Sequence, residues 1–137
     1  MITATIEETN HKLDDVIKNQ QASQATVSLL EQFVNKIDAT LKAQGKPVFF
    51  RTHKYGVTGS NRSFIENPRS KAFIYIDIRQ NYISTKYFTG NGSIEGLRKA
   101  NWLNKGDNKG SERIRISDVS EVEKAVEFAC AAYKIAY

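Results

Sequence analysis

The chain has 137 residues, 40% of them apolar, with seven Phe, six Tyr and one Trp, which is enough for one core plus an appendage and too aromatic for a disordered chain. Its single cysteine, Cys130, excludes an intramolecular disulfide and a multi-cysteine metal site, and two histidines in distant contexts, His11 and His53, argue against zinc. The net charge of +5 is concentrated in the middle: residues 46–115 carry fourteen Lys and Arg against five Asp and Glu, between two acidic flanks. Such a distribution either keeps a sheet soluble or marks a polyanionic partner: nucleic acid, a nucleotide or an acidic protein. No apolar run reaches membrane-spanning length and no signal pattern opens the chain, so a cytoplasmic protein without membrane contact is expected.

Residues 1–45 carry a heptad pattern. Ile6, Leu13, Val27, Val34 and Leu41 fall at one seam position, and Val16, Leu30 and Ile37 at the other. No proline interrupts it, and Gly45 and Pro47 supply stop chemistry. The pattern predicts a long N-terminal heptad helix, a coiled-coil oligomerisation segment that makes a homo-oligomer. The alternative is a helical hairpin folded back within one monomer. Gln20 and Ser23 are polar seam layers that either fix register or break the helix in two. Ile17, Leu29 and Phe33 widen the apolar stripe, so the second half of the helix is also expected to pack on the domain C-terminal to it.

From residue 46 the period becomes alternating, and 46–137 reads as a small α+β domain. Strands are predicted in "PVFFR", "KYGVT", "RSFIE", "KAFIYIDI", "NYISTKYF" and "ERIRIS", with turns at "GSN" and "NPRS" and a short helix in "SIEGLRKA". The segment from Asp118 to Ala136 predicts a C-terminal helix, with Asp118 and Glu121 at capping-box spacing. Consecutive strands without long crossovers imply a small antiparallel sheet packed on one face by that helix. Ala72, Ile74, Ile76, Ile78, Ile114 and Ile116 form its inward set, and Cys130 reads as a small core residue.

The other strand face carries the candidate site. Lys71, Phe73 and Tyr75 alternate with the core positions, Arg113 and Arg115 do the same on the last strand, and Arg62 shares a side with Phe64. Rings stack on bases and cations neutralise phosphates, so Arg62, Lys71, Arg113 and Arg115 are expected at phosphates and Phe73 and Tyr75 at bases. The competing use of Phe73 and Tyr75 is as a floor beneath Leu29 and Phe33 of the N-terminal helix. "GVTGSNRS" lacks the ending of a phosphate-binding loop and reads as a turn. "NKGDNKGS", with Lys105 and Lys109, reads as a mobile loop, and Trp102 as a domain anchor. No nucleophile–base set is evident, and Asp77 and Glu66 lack the downstream Glu-x-Lys step of a metal nuclease. A non-enzymatic binding module, with no cofactor and no metal, is therefore expected.

"KYGVTGSNRSFIENPRSKAFIYIDI" and "NWLNKGDNKGSERIRISDVSEVEKAVEFACAAY" together resemble an uncharacterised bacterial domain. That domain occurs at the C-terminus of "predicted transport protein" sequences and near restriction-endonuclease-like nucleases, and its ending is similar to the YjbR/MmcQ-like α+β fold. The shared steps are Arg62–Phe64, Pro68–Lys71, Phe73–Ile78, Trp102–Gly106, Arg113–Ile116 and Ala132–Tyr133. The connection "NYISTKYFTGNGSIEGLRKA" and the "NKGDNKGS" loop depart from that pattern. The resemblance implies nucleic-acid work in defence or mobile-element biology. It also leaves a second reading open, a phage or mobile-element protein that binds and inhibits a host defence complex.

Overall fold

Residues 20–23 decide the N-terminal architecture. The computed structural model, which describes residues 1–90, 94–99 and 111–137, divides the expected heptad segment into a short strand and two helices: β1 (Ile6–Glu7), α1 (Leu13–Asn19) and α2 (Gln24–Ala43). Gln21 adopts a left-handed conformation with φ of 54°, which no helix interior accommodates. Ser23 caps α2 by accepting the Thr26 N–H at 3.1 Å. The Ser23 N–H and the Thr26 hydroxyl both donate to the Gln80 carbonyl, each at 2.8 Å. The two polar seam layers are thus a turn and a cap docked on the tip of a later hairpin. The expected long N-terminal heptad helix is not formed.

The remaining seam residues are buried elsewhere. Ile6 pairs with Phe50 in the sheet. Val16, Leu30, Val34, Ile37 and Leu41 lie in the chain's own hydrophobic core, the last four fully buried; Leu13 packs against that core, and Val27 is part-buried. A stripe widened by Leu29 and Phe33, both buried, covers a sheet rather than a narrow partner helix. α2 ends as expected at Gly45, whose φ is +72°. The Lys46 N–H reaches the Leu41 carbonyl and the Gly45 N–H that of Lys42.

Among the described residues the remaining elements are β2 (Phe49–His53), β3 (Gly56–Ser60), β4 (Ala72–Ile78), β5 (Ile83–Phe88), β6 (Arg98–Lys99), β7 (Ser111–Ile116) and α3 (Val122–Ala136). A one-turn 3-10 segment, Val119–Glu121, leads into α3, and Asp118 and Glu121 form the expected capping box there. The strands form one sheet in the order β1-β2-β3-β4-β5-β7-β6. All neighbours are antiparallel except β1 and β2, so the sheet is mixed where an antiparallel one was expected. The fold is α+β. α2 and α3 pack together, and α3 lies on β4 and β5, where Tyr87 meets Phe128 at 6.0 Å between ring centroids. No described helix is long and apolar enough to cross a membrane.

Two further expectations are corrected. "RSFIE" is not a strand: residues 61–71 form an irregular connection in which Phe64 is buried and Arg62 exposed, so the two do not share a side. "SIEGLRKA" contains no helix among its described residues, which form a turn and then β6. Trp102 and the "NKGDNKGS" loop with Lys105 and Lys109 lie outside the described residues.

Candidate nucleic-acid interface

The alternation of β4 is interrupted at its start. Gly59 pairs with Ile74 while Ser60 pairs with Ala72, so Phe73 is the extra residue of a β-bulge. The bulge turns Phe73 to the same side as Ile74. Its ring is fully buried against Tyr133 of α3, edge-on at 5.2 Å between centroids, and near Tyr137 at 6.3 Å. Gly59 makes the room: a Cβ there would stand 2.8 Å from Ile74 Cγ2 and 3.0 Å from Phe73 Cε1. Phe73 is therefore core, beneath the C-terminal helix, and not a stacking residue. Past the bulge the expected phase returns. Ile74, Ile76 and Ile78 face the helices, and Tyr75 and Asp77 face the other way.

That other face is built from registered rows. One row crosses the sheet as Glu7, Arg51, Thr58, Tyr75, Lys86, Arg113 and Arg98, each opposite the next. The neighbouring row runs His53, Gly56, Asp77, Ser84 and Arg115. Strands stand about 4.8 Å apart, so consecutive row residues are spaced closely enough for successive nucleotides of one strand to meet several of them.

The described side chains on and beside these rows interleave rings and cations. Tyr75 and Phe88 meet edge to face at 5.0 Å. Lys86 Nζ lies 4.7 Å from the Tyr75 centroid and 5.4 Å from that of Phe88. Arg115, exposed, places its guanidinium 4.6 Å from the Tyr82 ring. Arg51 covers the Phe64 ring at 4.4 Å and donates to the Pro68 carbonyl at 3.5 Å, which closes the β1–β2 end of the face beneath the 61–71 connection. Glu7 is consumed in the same closure: its carboxylate accepts the Phe64 N–H at 2.6 Å and the Ser63 hydroxyl. The acid that would oppose a polyanion at this end of the row is thus turned inward and buried.

His53 lies at the second row's edge, its ring 5.5 Å from Tyr75. Its Nδ1 accepts the Tyr55 N–H at 3.3 Å, and its buried Nε2 lies 3.7 Å from Asp77 Oδ1, too far for a hydrogen bond. Burial pushes the imidazole below its ordinary pKa. Asp77 and the Val57 backbone oppose that shift, while Arg51 and His11 reinforce it. The ring is neutral at pH 7. Asp77 also meets Arg79 at 3.8 Å. Among the described residues no group of three or more His, Cys, Asp or Glu could hold a metal ion, and Asp77, Glu66 and His53 form no such cluster.

The expected site residues therefore separate into three places. Tyr75, part-buried, and Arg115, exposed, lie on the face away from the helices, and Arg113 holds a row position beside Lys86. Arg62 and Lys71 are exposed on the β3–β4 connection, around a hollow of their own. Phe73 is buried. Lys86, Phe88, Arg51 and Tyr82 belong to the face and are not among the residues expected from sequence. The parity of "ISTKYF" carries the signal for Lys86 and Phe88, since buried Ile83, Thr85 and Tyr87 alternate with them. Comparison with protein-family models, with curated proteins and with solved structures finds no match to this chain. The assignment of a role rests on geometry and chemistry alone.

Proposed function

We propose that the chain is a nucleic-acid-binding module that receives a single strand on the sheet face turned away from the helices. The observation that carries this reading is the Tyr75–Lys86 pair, with Phe88 and Arg115 beside it, on the face opposite the helices. Flat rings reach a base only when it is unpaired, so the arrangement favours single strands over duplex. Tyr75 and Phe88 supply stacking surface, and Lys86, Arg113 and Arg115 neutralise phosphates. Stacking contributes about 1–3 kcal/mol per base, so two rings and three cations support binding in the micromolar range without a deep pocket. No bond-making step is required of these residues.

Fluorescence anisotropy with a labelled single strand and the matched duplex, over a salt series, tests this. The single strand is expected to bind more tightly, with affinity falling as salt rises by about 0.7 log units per log unit for each phosphate contacted. Equal affinity for both forms, or binding indifferent to salt, overturns it.

A further inference from the structure

The β3–β4 connection, residues 61–71, is long and yet tightly held. Its start is tied by the Glu7 carboxylate at Ser63 and Phe64, and Phe64 is buried beneath Arg51. The Asn67 N–H donates to the Ser63 carbonyl at 2.9 Å, and the Ser70 hydroxyl donates to the Asn67 carbonyl at 2.7 Å. Its end is tied by the Lys71 carbonyl, which accepts the Ser60 hydroxyl at 2.8 Å and also the Tyr137 hydroxyl. A connection pinned at both ends holds its backbone in place, so the Cα positions of its outward residues are set before a ligand arrives.

Those side chains surround a hollow of about 570 Å³, within the range of small-molecule sites. Arg62, Arg69 and Lys71 line it, and among the described residues Glu66 is the one acidic side chain beside them. All three cations are exposed, and among the described residues none of them is in an ion pair. Tyr137 closes one wall. Its hydroxyl is turned away to Lys71 and Ser60, which fixes the ring. The side-chain amide of Asn67 adds donors and an acceptor at the rim.

We propose that this hollow is a binding site for a nucleoside 5′-monophosphate group, separate from the sheet face and independent of the reading given to it. Two guanidinium groups match the bidentate geometry of a phosphate, and the third cation adds charge. A terminal phosphate carries close to two negative charges at pH 7, where an internal phosphodiester carries one, so converging cations favour the terminal group. The volume exceeds what a phosphate alone needs, and the fixed Tyr137 ring offers a surface to the attached nucleoside. The phosphate has two sources, a free nucleotide or the 5′ end of a strand.

Titration calorimetry with adenosine 5′-monophosphate, adenosine and inorganic phosphate tests the site, and oligonucleotides with a 5′-phosphate or a 5′-hydroxyl distinguish the sources. The monophosphate is expected to bind at least about tenfold more tightly than adenosine, the scale of charge-assisted hydrogen bonds to a dianion. Its affinity should fall below about pH 6 as the phosphate gains a proton. The double variant R62A/R69A should lose the preference, while K134A, an exposed cation on α3, should retain it. A strand preferred for its 5′-phosphate assigns the site to strand ends; a preference confined to the free nucleotide assigns it to nucleotides, and both support the site. Equal binding of adenosine and its monophosphate, or a preference that survives R62A/R69A, overturns it. The 5′-hydroxyl oligonucleotide reports on the sheet face alone, so failure there leaves the monophosphate result standing.

Discussion

Replacing Phe73 by Ala and, separately, Tyr75 by Ala probes two aromatic residues two positions apart on one strand. Phe73 is fully buried between the sheet and Tyr133, so truncation empties a core site and is expected to cost about 3–5 kcal/mol. For a chain of this length, with an unfolding entropy of about 2.1 cal/mol/K per residue, that lowers Tm by roughly 10–17 °C. Tyr75 is only part-buried and loses edge contacts with Phe88 and His53, so its truncation should cost about 1–2 kcal/mol, or roughly 4–7 °C. Binding should respond the other way. F73A, assayed well below its Tm, should keep the single-strand affinity, while Y75A should lose about 1–3 kcal/mol, a weakening of about 5-fold to 150-fold. Differential scanning fluorimetry and anisotropy on the same preparations read both quantities. Equal destabilisation by the two substitutions, or binding lost in F73A and kept in Y75A, refutes the bulge-based assignment.

G59A should also destabilise, by about 1–3 kcal/mol, because the new Cβ meets Ile74, Phe73 and Phe50, all fully buried; thermal melts check this. G56A is expected to be worse, since its Cβ would lie 1.9 Å from the Ile76 carbonyl oxygen, a backbone atom that cannot rotate away, and loss of soluble folded protein is the readout. S23A should cost about 1 kcal/mol by removing the α2 cap, measured by urea denaturation. His53 sets a pH dependence: its folded pKa lies below its unfolded value of about 6.5, so the unfolded chain binds the proton first. Its contribution is complete above that value and is lost as pH falls through the window down to the folded pKa. H53Q should flatten this part of a stability-versus-pH curve measured by denaturant titration, and an unchanged curve would show that another group is responsible.

The α+β class and several local features can be read from the residues, and the failures trace to partners distant in the chain. The β4 phase from Ile74 onward, the Gly45 stop and the Asp118 capping box are legible because each depends on a few adjacent side chains. The heptad reading fails at Gln20–Ser23 because a polar pair inside an apolar repeat looks the same whether it fixes register or caps a new helix. The deciding partner, the Gln80 carbonyl, lies more than fifty residues away. Alternation misplaces Phe73 because a bulge shifts parity by one, and its cause, Gly59, sits on the neighbouring strand. Arg62 joins the sheet face on sequence grounds because "RSFIE" alternates like a strand, whereas Glu7 holds Ser63 and Phe64 in a loop; Lys71 joins it through the alternation of "KAFIYIDI", whose strand begins only at Ala72. Simple alternation does place Tyr75 and Arg115 on the side of the sheet away from the helices, where the strand register also puts them.

Salt dependence of single-strand affinity, for the unaltered protein and for R113A/R115A, probes the sheet face most directly, by anisotropy on one labelled oligonucleotide. The variant is expected to bind more weakly, with a log–log slope shallower by about 1.4, two phosphate contacts at about 0.7 each. An unchanged slope, with the fold intact by circular dichroism, would rule out a phosphate backbone running along this face.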